Sequence, residues 1–144
     1  MFVPYNTYRV TYQNDLKSLV TSNHLAPELV RWEKHRVWVV EATLKEGARH
    51  IYHKRRFYLD EDSWVALASD QYDARGQLYR GSFAFLSQSY DQQVPDATPY
   101  ATYDLIGGSY SVNGLTGPYG GIKYGKPLSN AQWSAESLAG AGIR

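Results

Sequence analysis

The chain contains no cysteine, so no disulfide, thiolate metal site or cysteine nucleophile can form. That absence leaves the compartment open, because an oxidising one permits disulfides without requiring them. No run approaches the roughly 18 uninterrupted apolar residues that a membrane helix needs. The opening MFVPYNTYRVTY lacks the basic and long apolar regions of a signal peptide. A net charge of only +1 gives no global pull towards nucleic acid or a membrane surface. No G-x-S-x-G elbow is present, and no glycine is followed by Lys and then Ser or Thr as a phosphate loop requires. Gly117, Gly120 and Gly121 lack the flanking strand and helix of a dinucleotide fingerprint.

What the chain does hold is aromatic. Its 144 residues suit one domain, and aromatics make up 15% of them, with 13 Tyr, which favours β structure over a helical bundle. Charge is uneven: Arg31 to Arg56 holds eight Lys or Arg against three acids, and Asp60 to Asp104 eight acids against two Arg. The first reading is complementary neighbouring strands or loops, and the second a basic binding patch.

Tyr8 to Tyr12 reads as a short strand, and Pro27 as the opening of one helical turn. Arg36 to Leu44 is nearly unbroken apolar, with Trp38, Val40, Ala42 and Leu44 on one side and Val37 and Val39 on the other. A hairpin pairing Leu44 with Ile51 places Trp38 against Phe57 and Glu41 against Lys54, both favourable cross-strand pairs. Asp60 to Ser63 then reverses the chain, and pairing Leu59 with Trp64 sets Phe57 beside Ala66 and Arg55 beside Ala68. Small Ala66 and Ala68 next to bulky Trp38 and Phe57 predict a hollow, filled by a helix or by a ligand. Asp73-Ala74-Arg75-Gly76 is a third turn, with Gly76 left-handed. A long strand from Gln77 to Tyr90, a strand from Tyr100 to Leu105 and one from Ser109 to Asn113 complete six or seven antiparallel strands. Residues 1–115 are therefore expected to form a curved antiparallel sheet. Residues 116–144 are expected to be a Gly/Pro-rich connector and a helix, capped near Ser129 or Asn130, that lays Trp133 and Leu138 on the sheet.

No catalytic or metal site is expected. His50 and His53 are three apart and point to opposite faces of a strand, so one metal cannot easily see both. His53 is instead placed opposite Asp70, as a structural hydrogen bond. Asp60, Glu61 and Asp62 sit on a hairpin tip, where solvated carboxylates are not tuned for acid and base work. Lys54-Arg55-Arg56 between Tyr52 and Phe57 is the best case for nucleic acid, but alternation and nearby acids dilute it. Trp32, Trp38, Phe57, Trp64, Phe83 and Phe85 form an aromatic set that reads first as plain core, but a sheet with two apolar faces and little helix to cover them raises the weight of a groove or an interface.

HRVWVVEATLKEGARHIYHKRRFYLDEDSWVALASDQYDARGQLYR resembles the domain of unknown function 1329 family, proteobacterial proteins often described as outer-membrane lipoprotein sorting proteins and grouped by fold with LolA and LolB. His35 to Leu44, Phe57 to Trp64 and Asp70 to Leu78 carry the match, with VPYN near the start and KYGKPLS near the end. Glu46 stands where the family often has proline, and Tyr79 where it often has tryptophan. The resemblance implies the C-terminal part of a longer periplasmic protein, whose signal peptide and N-terminal half lie outside this sequence. It also implies a mainly β fold, an open curved antiparallel sheet forming part of an unclosed barrel, whose apolar side holds acyl chains without enzymatic activity or cofactor. The expected lining is Trp38, Val40, Phe57, Trp64, Ala66, Ala68, Phe83 and Phe85. The expected partners are a lipid or lipoprotein acyl chain, with contact to the membrane peripheral at most and no nucleic acid. An envelope protein docking on the same face is the alternative, and pairing of exposed sheet edges is expected to give a homodimer.

Overall fold

The computed structural model describes residues 1–141. Its centre is a six-stranded antiparallel sheet that does not close, in the order β10-β9-β6-β5-β4-β3. The strands are β3 (Val37–Thr43), β4 (Lys54–Asp60), β5 (Ala66–Tyr72), β6 (Leu78–Ala84), β9 (Tyr100–Asp104) and β10 (Ser109–Asn113). Two small sheets flank it: β1 (Phe2–Pro4) with β2 (Trp32–Lys34), and β7 (Ser87–Ser89) with β8 (Val94–Asp96). The helices are short: α1 (Tyr8–Thr11), α2 (Leu16–Leu19) and α3 (Ala135–Ala141), with 3-10 turns at Pro27–Leu29 and Gly117–Tyr119.

Tyr8 to Tyr12 is thus not a strand. Thr7 decides this: its N–H and its hydroxyl both donate to the Leu86 carbonyl at 2.9 Å, and its own carbonyl accepts from Val10 and Thr11. Once that residue is pinned, the chain turns helical against its propensity, as tertiary contacts often dictate. The turn buries Val10, which joins Leu19, Leu25, Phe85 and Ala101 in the main core. The first part of the chain therefore covers one face of the sheet, over Phe83, Ala101, Tyr103, Tyr110 and Val112. A second buried cluster of Val3, Tyr5, Leu67 and Leu86 lies beneath β1. Gly117 closes this cover, because a Cβ there would lie 2.0 Å from the Gln13 carbonyl oxygen.

Both hairpin registers differ from the expected ones. In β3–β4, Trp38 pairs with Leu59, Val40 with Phe57 and Glu41 with Arg56, a slide of two residues. The hairpin closes where the Leu44 N–H donates to His53, and Ile51 is exposed in the loop. In β4–β5, Phe57 pairs with Ser69 and Tyr58 with Ala68, and a bulge between Tyr58 and Leu59 brings Leu59 to Ala66. Trp64 is outside the strand, with φ +60, and is 67% exposed. The strand expected to run to Tyr90 breaks after Ala84, where Phe85 and Leu86 enter the two core clusters. The C-terminal helix does not lie on the sheet: Trp133 is 80% and Leu138 76% exposed. Tyr100–Asp104, Ser109–Asn113 and the left-handed Gly76, at φ +76, match the sequence reading closely.

The Asp60 turn is not a solvated tip. Asp60 is fully buried; one carboxylate oxygen accepts from the Ser63 N–H (2.9 Å) and hydroxyl (2.7 Å), and the other faces His35 Nδ1 at 2.8 Å. His35 stacks on Tyr5 with ring centroids 4.0 Å apart, so this carboxylate ties the turn after β4 to the β1–β2 flap. Removing it leaves three half-buried donors without this partner. Asp60→Ala is expected to lower stability by about 3 kcal/mol, read from the urea midpoint; a loss under about 1 kcal/mol would show that the clamp is not structural.

Candidate functional site

Cross-strand partners share a face, so the pairings sort the sheet into two surfaces. One carries Val39-Tyr58-Ala68-Phe83-Ala101-Val112 and packs on the chain's own cover at its β6–β10 end. The other runs Val40-Phe57-Ser69-Ser82-Thr102-Ser111, flanked on one side by Trp38-Leu59-Ala66 and Ala84-Tyr100 and on the other by Ala42-Arg55-Gln71-Arg80-Asp104. This second face is bare at β3, where Trp38 is 56% and Val40 47% exposed.

A cleft of about 410 Å³ opens at the Ala66 and Ala84 end of the sheet, lined by Phe57, Ala66, Ser69, Ser82, Ala84 and Tyr100 of the bare face, by Ala68 and Phe83 of the opposite row, and by Val65 and Ala97. Of the residues expected to line a hollow, Phe57, Ala66, Ala68 and Phe83 therefore meet in one place, with Trp38 and Val40 beside it on the same face. Phe85 does not join them, being buried in the core behind the sheet. Trp64 does not either, because the bulge leaves it in the turn. Sequence reasoning missed Ala84, Ala97 and Tyr100, whose approach depends on β9 pairing with β6 across fifteen intervening residues. On the covered face, a second apolar cleft of about 310 Å³ lies between Trp32, Leu25, Val30, Phe83, Phe85 and Tyr103. A third, of about 590 Å³, is formed within the C-terminal segment around Leu128, Trp133 and Leu138.

Polar chemistry concentrates at the far end of both faces. On the bare face, Arg80 donates to Tyr52 Oη (2.9 Å), Tyr79 Oη (3.1 Å) and Asp104 (3.3 Å), and its guanidinium lies 4.7 Å from the Tyr79 ring centroid. The Tyr52 hydrogen bond holds its pKa above the usual value, while the Gly107 N–H holds Asp104 below the carboxylate range. On the other face, Arg56 bonds Glu41 at 2.7 Å, and Asp70 accepts from Tyr58 at 2.6 Å. Asp70 is therefore the partner of Tyr58 and Arg56, and the expected His53 bond does not form: His53 sits before β4 with its N–H on the Tyr72 carbonyl.

Among the described residues one His and carboxylate set has metal-compatible spacing: donor atoms of His35, Asp60 and Asp62 lie within 4.8 Å of one another. Both Asp60 oxygens and His35 Nδ1 are already hydrogen-bonded, so the geometry is that of the clamp described above.

The model of the family described as "Protein of unknown function (DUF1329)" matches residues 1–139. The chain belongs to the DUF1329 family. A Pseudomonas aeruginosa relative, uncharacterized protein PA3922, is 45% identical over 116 residues, covering 80% of this chain and 26% of its own length. The chain thus spans about a quarter of the curated relative that it matches. A DUF1329 family protein from Desulfovibrio piger has a similar solved structure, at 20% identity and TM-score 0.49, over 71% of this chain and 40% of that one. A domain from Vibrio parahaemolyticus named for outer membrane lipoprotein sorting aligns at 17% identity and TM-score 0.46, over 90% of this chain and 58% of that one.

The Tyr58–Asp70 bond has a titration signature. Its hydrogen bond to the carboxylate, followed by burial, pushes Tyr58 up to about 12. The neutral phenol is the form that the fold favours, so its stabilising contribution is complete below the ordinary tyrosine value of about 10 and is lost as pH rises from there towards 12. Absorbance titration at high pH is expected to show a late-ionising tyrosine that Tyr58→Phe removes; an unchanged curve would dismiss the bond.

Proposed function

We propose that the chain is a non-enzymatic, carrier-like module of the Gram-negative envelope that binds a lipid or lipoprotein acyl chain on the bare face of its sheet, in the periplasm and peripheral to the membrane at most. The observation that carries this reading is the asymmetry of cover at the β6–β10 end: the N-terminal segment packs on one face there, and the opposite face keeps an open apolar cleft with Trp38 and Val40 exposed beside it. Alanines at 66, 84 and 97 leave the room, Phe57 and Tyr100 supply walls, and Ala68 and Phe83 reach the cleft from the opposite row. Burial of an acyl chain there would gain about 0.8 kcal/mol per methylene.

A second reading is favoured by a different observation. The outer edge of β3 pairs with no strand among the described residues, and Trp38, Val39 and Val40 are exposed on its two sides. Such an edge invites a further strand, from an envelope protein or from a second copy of this chain.

Labelled fatty acid or phospholipid is expected to bind and to change tryptophan emission, and Ala66→Phe, which fills the cleft from its rim, is expected to weaken uptake about tenfold. No uptake and no emission change would end the carrier reading. Lipid-independent capture of an envelope protein, abolished by a proline at Val39, would establish the edge reading instead; a strict monomer in light scattering at high concentration would remove the homodimer.

A further inference from the structure

We propose that the bare face takes an anionic phospholipid head first into a polar end, with the phosphate at Arg55 and an acyl chain over Phe57, Ala66 and Ala84. This rests on the carrier reading and names its ligand class.

The face is graded along its strands. Ala66, Ala84 and Tyr100 lie at one end, the hydroxyls of Ser69, Ser82 and Thr102 across the middle, and Arg55, Gln71 and Arg80 at the other. Alternate residues on a strand are about 7 Å apart, so Ala84 to Arg80 spans about 13 Å. Tail, linkage and charged head of an amphiphile have the same order and a comparable reach.

The two guanidiniums differ. Arg80 is committed to Asp104, Tyr52 and Tyr79, and serves as a fixed wall. Arg55 forms no ion pair with a carboxylate among the described residues; its contacts are His50 Nε2 at 3.4 Å and the Tyr52 ring, 5.1 Å to the centroid. Its charge is the uncompensated one on this face, and a phosphate would draw it off the ring into a charge-assisted hydrogen bond.

Gln71 sharpens the head group. It sits in the row between the two arginines, its amide N–H donates to Ser69 Oγ at 2.6 Å, and its Oε1 is buried without a hydrogen-bond partner. A buried acceptor without a donor is costly. The hydroxyls of a glycerol head supply that donor as Arg55 swings onto the phosphate, whereas a fatty-acid carboxylate has none to give. Phosphatidylglycerol fits both requirements.

The test compares labelled phosphatidylglycerol, phosphatidylcholine, diacylglycerol and fatty acid of equal chain length on the full chain. Phosphatidylglycerol is expected to bind about tenfold tighter than the others. Arg55→Gln should erase the difference, Arg55→Lys should restore part of it, and Gln71→Leu should reduce it, with circular dichroism and urea midpoint close to those of the parent. Inorganic phosphate should not compete. Equal affinity for all four lipids, competition by free phosphate, or an Arg55→Gln variant that keeps its preference would overturn the head-group assignment and leave the carrier reading standing. Binding of none of the four would overturn both.

Discussion

A single buried carboxylate determines which side of this sheet is left open. Asp60 ends β4, and its two oxygens are divided between the turn, through Ser63, and the flap, through His35. Moving an ionisable side chain out of water is expensive, and three hydrogen bonds offset it only if all their donors stay in place. The turn and the flap are thereby held as one unit. Tyr5 stacked on His35 continues this into β1, and Thr7 on Leu86 turns the chain towards α1 and the main core. The segment from Val10 to Leu25 is committed to one face, Val3 and Tyr5 close the end of the sheet against Val65 and Ala97, and the cleft is what remains.

How much of this was legible in the sequence follows from the period of a strand. The β3–β4 register slid by two residues from its expected position, and an even slip keeps every side chain on its face, so Trp38, Val40 and Phe57 still share one. The β4–β5 register moved by three, and an odd slip exchanges faces: Ala68 now stands across from Tyr58, not in line with Phe57. The cause is the buried Asp60. A tight turn over Asp60 to Ser63 would have paired Leu59 with Trp64, but the carboxylate folds the turn inward, Trp64 takes a left-handed conformation, and a bulge absorbs the excess. A hollow at Phe57 and Ala66 survived because the bulge returns Ala66 to Leu59 on the bare face.

The His and carboxylate partnership was legible in kind and misplaced in position. Sequence spacing offered His53 with Asp70, both in the main hairpins, whereas the structure joins His35 to Asp60 across twenty-five residues. What the spacing could not show is burial: Asp60, Glu61 and Asp62 look alike as a run of acids, yet Asp60 is fully buried and Asp62 exposed. The helix at Tyr8 was hidden for a related reason, since its decisive contact is with Leu86, far along the chain.

The magnitude of acyl burial bears on why the polar end matters. Covering about six methylenes in a shallow cleft gains roughly 5 kcal/mol. Association costs of about 4 kcal/mol or more consume most of that, leaving about 1 kcal/mol and a Kd of roughly 0.2 M from the tail alone. A face that holds lipid tightly therefore needs either further apolar cover or a head-group contact. Among the described residues little apolar cover reaches this face: the main cluster of the N-terminal segment packs on the opposite one, and Trp133 and Leu138 are exposed. The uncompensated Arg55 and the unpartnered Oε1 of Gln71 lie on the correct face and one strand step beyond the hydroxyl row, so the head-group contact is the contribution that this chain's own residues can make.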